Sequence, residues 1–435
     1  MESTNSSLFS TCIGITCVFG LGACAQTTTL SDASSQPTAN PYELIYRLKI
    51  EPDQQSATAS IHVSSESRTH RELQFTIDPS RHTEFDGDGE LTTENNRLVW
   101  QPPRRGGTLS YQVTVSQRRQ SGAFDARQTD EWALFRIGDI FPPVRTRTSA
   151  GATSVARLEL ELPDGWSALT SYLSGDSKYS FPFDNPTRNF DRPSGWVLVG
   201  NIGVRRGKMA ETRVAIGSPV GENVHRMDIM AYLNWTLPEL RRIFPTLDER
   251  LIIVSAGDPM WRGGLSGPNS LYIHADRPLI SENGTSTLLH ELVHVAMGVS
   301  GSAHDDWLVE GLAEYYSIKI LRTTETLSIR RRDLALLNLK EWGNDVDDLF
   351  VKRSSGAVTA RATTLLAELD VHITGETRGR RSLDDVVLSM IENKQTYSYR
   401  SLCIAANELV RTSVPMLAPP MVPGAPMEPA CSISN

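Results

Sequence analysis

The hydrophobic periodicity of this 435-residue chain changes once, near Pro219, and that change limits the folds open to it. From Tyr42 to Pro219 apolar residues alternate with polar ones, as in YELIYRLKI at 42–50, RLVW at 97–100, LSYQVTV at 109–115, ARLELELP at 156–163 and WVLVGNIGV at 196–204. Such period-two runs between clusters of Gly, Asn, Asp and Pro predict an all-β region over 42–219. Beyond Pro219 the spacing becomes helical in VHRMDIMAYLNWTLPELRRIF, TSTLLHELVHVAMG, DDWLVEGLAEYYSIKIL, VTARATTLLAELDVHI, SLDDVVLSMIE and YRSLCIAANELVRT. Two short apolar runs, LIIVS and SLYIHA, read as strands among those helices. The expected architecture is an N-terminal all-β domain followed by an α-rich α+β domain over 220–412, with a Pro-rich tail over 413–435.

The first 41 residues read as an address rather than as fold. Residues 8–25, LFSTCIGITCVFGLGACA, form an uncharged apolar run ending in small residues, the pattern of a secretory signal, although MESTNSS before it carries no Lys or Arg. No basic residue flanks the run as a stop-transfer anchor requires. Leu21-Gly22-Ala23-Cys24 resembles the bacterial lipobox, which implies lipidation of Cys24, a signal segment over 1–24 and sorting to the outer membrane facing the periplasm. Simple cleavage after the small residues Ala23, Cys24 and Ala25 is the alternative, giving a periplasmic or secreted protein. Residues 25–41 are polar and rich in Ser, Thr and Pro, as a tether would be. Of the five cysteines, Cys12 and Cys17 go with the signal, and Cys403 and Cys431 are left as an expected disulfide in an oxidising compartment. A net charge of −8 gives no electrostatic reason to bind nucleic acid.

The chemistry is concentrated in His290-Glu291-Leu292-Val293-His294. On a helix, residues four apart lie one turn apart on the same face, so the two imidazoles can grip one zinc ion. Glu291 projects beside them, where a carboxylate can take a proton from an attacking water and pass it to a leaving amine. None of the cysteines is expected to be a ligand. A catalytic zinc needs a third protein ligand and an open fourth position. The extended HExxHxxGxxH pattern fails, because Met297 and Ser300 stand where Gly and His are required. Glu310, on the next helical segment, is the expected third ligand, with His304 and Asp305 as alternatives that precede that segment.

The pair HExxH and Trp307-Leu308-Val309-Glu310-Gly311-Leu312-Ala313-Glu314-Tyr315 resembles the gluzincin metallopeptidases, in which a WxxEGxAxY-type helix brings a glutamate to the zinc. The connection between the two motifs is shorter here than in thermolysin and aminopeptidase N relatives. A β domain ahead of a thermolysin-like helical domain, together with SSGAVTARATTLLAELDVHITGETRGRRSLDDVV at 354–387, is similar to the glycyl aminopeptidase and aminopeptidase N families. The resemblance implies one Zn2+ held by His290, His294 and Glu310, Glu291 as general base and acid, and a peptide or protein as substrate. Glu314, one turn beyond Glu310, is expected to orient a ligand histidine.

Two departures qualify what the resemblance implies. Those families carry YxKG, whose tyrosine donates to the oxyanion; aligning Gly356 with its glycine puts Arg353 at the tyrosine and Ser355 at the lysine. Arg353 is then the expected oxyanion partner, with Tyr397 and Tyr399 as alternatives. Aminopeptidase N relatives also carry GxMEN, whose glutamate holds the substrate amine, whereas residues 263–270 here read GGLSGPNS without an acid. Gly263, Gly264 and Leu265 remain expected substrate contacts, as an edge to which an extended peptide can add. These losses motivate a second expectation, a non-catalytic envelope lipoprotein that uses the same scaffold to bind a peptide or protein partner.

Overall fold

The computed structural model describes residues 40–425 except 53, 55, 65–69, 149–151, 185–189, 299–303, 394–395 and 420. Residues 1–39, which hold the expected signal with Cys24 and all but the last two residues of the expected tether, and the last residues of the tail, with Cys431, lie outside the described residues; Asn40 and Pro41 already belong to the strand Asn40–Ile50. An N-terminal β-sheet region is followed by a helix-rich region, as the change of period requires.

The N-terminal region holds three sheets. The largest runs in the order Ser180–Phe183, Ala152–Glu161, Asn40–Ile50, Ser56–Ser64, Gly106–Thr114, His82–Gly87. Strand Ser56–Ser64 buries every second residue, Ala57, Ala59, Ile61 and Val63, so its period-two pattern is the imprint of one core-facing side. A four-stranded sheet (Val144–Thr148, His70–Thr76, Arg97–Gln101, Glu90–Glu94) contributes Leu73, Phe75, Leu98 and Trp100 to the same core. A five-stranded sheet (Ser167–Leu169, Trp196–Gly200, Trp132–Arg136, Phe124–Gln128, Gln117–Arg118) completes the region.

The sheet of the helix-rich region has the order Ile202–Met209, Thr212–Pro219, Arg250–Ala256, Ser270–His274, Gly264–Gly267. Its first two strands precede Pro219, so the boundary expected at 219 falls inside this sheet. The physical reason is local: WVLVGNIGV does not make one strand. The chain leaves the five-stranded sheet at Gly200, whose φ of 125° and close approach to the Glu131 carbonyl exclude a side chain, and enters the next sheet at Ile202. A one-residue interruption, Asn201, inside a continuous alternation gives no change of period to read.

Strand Arg250–Ala256 is buried on both faces, which explains its unbroken apolar run. Leu251 and Ile253 join the helical core, while Ile252 and Val254 pack with Trp132, Leu134, Trp196 and Leu198 of the five-stranded sheet. The molecule is therefore layered as sheet, sheet and helices at this level. The second layer's edge strand, Gly264–Gly267, borders the helix Thr287–Met297 that carries the two histidines.

The helix Asp306–Thr323 packs against the helix Ala357–Glu376 at Gly311, where an added Cβ would stand 2.8 Å from that of Ala362. The glycine that follows Glu310 is thus a packing requirement. Below it, Lys319 is 3.1 Å from Asp370 and 2.7 Å from Asp384, and Arg242 is 2.8 Å from Asp384. Burial raises the Asp384 pKa, but Lys319 and Arg242 outweigh it and hold the carboxyl below its ordinary value. The SLDDV sequence is accordingly structural: Ser382 caps the helix Leu383–Glu392 in a capping box with Asp385, and Asp384 neutralises the buried lysine. Cys403 is fully buried and disulfide-bonded. Among the described residues no helix is long and apolar enough to cross a membrane.

Candidate active site

Ser286 starts the histidine helix, its hydroxyl accepting from the Leu289 N–H at 3.3 Å and receiving the Tyr232 hydroxyl at 2.8 Å. Ser317 of the following helix contacts the Ser286 backbone on both its N–H and its carbonyl side, so the two helices are tied at that end. Gly298, with φ 66°, ends the helix in a left-handed cap whose N–H donates to the His294 carbonyl. Leu288, Leu289, Leu292 and Val293 lie in the core. His290, Glu291 and His294 are left to line a cleft of about 730 Å3.

The two Nε2 atoms of His290 and His294 are 3.1 Å apart. Glu310 reaches them from the next helix, 3.3 Å from His290 Nε2 and 3.4 Å from His294 Nε2. These spacings fit the proposed donor set: four-coordinate zinc with bonds of about 2.0–2.2 Å separates its ligand atoms by about 3.3 Å. Among the described residues this is the one group of three or more His, Cys, Asp and Glu side chains whose ligand atoms converge. Electrostatics agrees with the geometry. Burial lowers the His290 pKa, but hydrogen bonds to Glu310 and Glu314 outweigh it and raise that pKa well above 6.5. Burial raises the Glu310 pKa, yet His290 and His294 hold it far below the usual carboxylate range. Surroundings that favour a proton this strongly favour a divalent cation for the same reason.

Glu314 Oε2 lies 3.0 Å from His290 Nδ1, the ring atom turned away from Glu310. That contact fixes the tautomer with Nε2 free to ligate. Glu291 is 8% exposed, and its side chain rests on the edge strand at Gly264, where an added Cβ would come 2.6 Å from Glu291 Cγ. The glycine is what lets the carboxylate lie at the cleft floor. Gly264→Ala should displace Glu291 and lower kcat by roughly 10²-fold, with bound zinc unchanged, as steady-state kinetics and metal analysis on one preparation would show.

The remaining expectations divide. Gly264 and Leu265 line the cleft, whereas Gly263 sits under the Trp261 ring and gives its carbonyl to the His274 N–H. With that bond and the pairing of Leu265 to Tyr272, the peptide groups of Gly264 and Ser266 point to the unpaired edge. His304 contacts the Phe350 carbonyl and Asp305 accepts from the Tyr399 N–H, so neither joins the ligand group. Arg353 is exposed and is not among the residues that line the cleft. Its neighbour Ser354 turns inward and donates its N–H to Asp306 at 2.7 Å, which sends Arg353 and Ser355 outward. Tyr397 is buried without a hydrogen-bond partner among the described residues, Tyr399 donates to the Leu417 carbonyl, and neither lines the cleft. Sequence reasoning missed Trp196, whose indole donates to the Leu265 carbonyl at 2.9 Å and braces the edge strand from the N-terminal region. A tryptophan in an alternating strand carries no signal for that task.

A His-x-x-x-His pair on one helix and a glutamate on the next, on the helical side of a small sheet behind a β region, has the layout that the resemblance to gluzincin metallopeptidases implies. The comparisons with solved structures agree on the fold. The chain superimposes on an aminopeptidase N family protein from Idiomarina loihiensis with a TM-score of 0.62 at 14% identity, covering 81% of this chain and 70% of that one. An M1 zinc metallopeptidase variant from Deinococcus radiodurans, bound to a Tyr-Ser-Ala substrate, matches with a TM-score of 0.56 at 14% identity over 91% of this chain and 96% of that one. The same organism's M1 zinc metallopeptidase gives 0.54 at 15% identity over 86% and 92%. No protein-family model and no curated protein matches the sequence.

Proposed function

We propose that this protein hydrolyses peptide bonds with one zinc ion held by His290, His294 and Glu310. The observation that carries the reading is the convergence of three ligand atoms at tetrahedral-edge spacing beside a buried glutamate. Zinc, when bound, polarises the scissile carbonyl and makes water acidic enough to be deprotonated near neutral pH. The chain's own groups do the rest. Glu291 accepts the proton of the attacking water and returns it to the departing amine. Glu314 keeps His290 in its ligating tautomer. The Gly264 and Ser266 peptide groups hold an extended substrate along the edge strand. The solved M1 metallopeptidase with a bound Tyr-Ser-Ala supports a peptide as the ligand class. The reading places the protein in the cell envelope, anchored through Cys24, on the strength of the signal-like run at 8–25.

One observation favours the alternative of a peptide-binding protein without catalysis: neither Arg353 nor Tyr397 nor Tyr399 lines the cleft. A mixed-peptide library incubated with zinc-loaded protein separates the two. Cleavage abolished by a chelator and restored by zinc is expected. Stoichiometric zinc with every peptide intact would establish the binding reading instead.

A further inference from the structure

The catalytic cleft does not end at the edge strand. Ser266, Gly267, Pro268 and Gly298 also line a second groove of about 780 Å3 whose other wall is the N-terminal β region. The two spaces adjoin at residues 266–268, which line both, so a peptide lying on the edge strand is directed from one towards the other. Where the catalytic cleft is walled by Glu291, Glu310 and Asp306, the second groove brings together Arg81, Arg136 and Arg192 against Asp78 and Asp139. The field therefore changes sign along the path.

Each guanidinium is held in place. Arg192 donates to the Gly138 and Phe141 carbonyls at 2.9 and 2.7 Å. Arg136 binds Asp139 through Nε and Nη2 at 3.0 and 2.9 Å and lies over the Trp196 ring, the same indole that braces Leu265. Arg81 is anchored by Nε on the Thr114 carbonyl at 3.3 Å, while its Nη2 has no partner among the described residues. Beside it His82, 5% exposed, has no hydrogen-bond partner for Nε2 among the described residues. Asp78 is committed to Ser80, which it meets at its N–H and its hydroxyl. Three guanidinium groups stand against two carboxylates in the lining of this groove, leaving it a net positive charge, and planar guanidinium forks match a carboxylate.

We propose that this groove is a substrate subsite for a peptide carboxylate lying a few residues from the scissile bond. The proposal rests on the peptidase reading above and deepens it: an edge strand without an acid for a free amine is paired with a groove that selects an anion. An acidic side chain and the peptide's terminal carboxylate share the required chemistry.

The test measures binding and cleavage separately. Labelled peptides carrying Glu or Gln at successive positions, each with a free or amidated C-terminus, are titrated by anisotropy into zinc-loaded Glu291→Gln protein and assayed for kcat/KM with the native enzyme. One position is expected to prefer Glu over Gln by at least about tenfold, and a preference that moves with the free C-terminus assigns the terminal carboxylate instead. Arg81→Met and Arg136→Gln should bring the ratio close to one while the Gln peptide binds as before. Asp139→Asn, which releases Arg136 from its present partner, should raise the ratio and serves if the arginine variants melt early. Cleavage without any preference, a preference that survives both arginine variants, or one that Asp139→Asn fails to raise, would overturn the subsite. Preference in binding with no cleavage by the native enzyme would uphold it and sink the peptidase reading.

Discussion

Glu291→Gln is expected to lower kcat on any cleaved peptide by roughly 10²–10⁴-fold, with KM little changed and zinc still stoichiometric. The amide keeps the size of the side chain and its rest against Gly264 but cannot accept the water proton. Glu291 takes no part in the converging ligand group, so the metal should be indifferent to the change. A drop in kcat and kcat/KM by the same factor marks an interaction made only in the transition state. Full activity in the variant would remove Glu291 from the mechanism. Loss of zinc together with activity would instead make it a ligand.

Glu310→Ala is expected to have the larger effect on metal. It removes the only anionic ligand and leaves two imidazoles, so zinc affinity should fall more than about 100-fold and activity should disappear at ordinary zinc concentrations. Glu314→Gln is the informative comparison. It keeps all three ligands and weakens only the hold on His290 Nδ1, for which a loss of roughly 10–100-fold in affinity is expected, with activity recovered at high zinc. Competition titration against a chelating dye measures both. Equal affinities for the two variants would place Glu310 and Glu314 in the same role and contradict the assignment.

What the sequence revealed depended on whether the relevant residues sit close together along the chain. The histidine helix was legible because its function and its burial share one period: His290 and His294 face one side while Leu288, Leu289, Leu292 and Val293 face the core. The glutamate helix was legible because Glu310 and its neighbours stand in one short WxxEGxAxY-type run, and the structure adds that Gly311 of that run meets Ala362 of the next helix closely. The division of the sheets was not legible. Strands Ile202–Met209 and Thr212–Pro219 alternate like the β strands before them, and only their pairing with Arg250–Ala256 assigns them to the helix-rich region. The facing of Arg353 was not legible, because sequence alignment carries no information on it. One inward residue, Ser354 on Asp306, decides that its neighbours point out. The arginine groove is the extreme case, with Arg81, Arg136 and Arg192 brought together by separate parts of the β region. The residues of SLDDV, which carried part of the resemblance, serve the Lys319 ion network and a helix cap.

The central claim is that His290, His294 and Glu310 hold a zinc ion. Anomalous diffraction from zinc-loaded crystals, collected on both sides of the zinc edge, tests it most directly. The account predicts one strong peak in the cleft, about 2.0–2.2 Å from both Nε2 atoms and a Glu310 oxygen, with Glu291 outside bonding distance. A peak at another site, or none between these three side chains in a crystal shown to contain zinc, would contradict it.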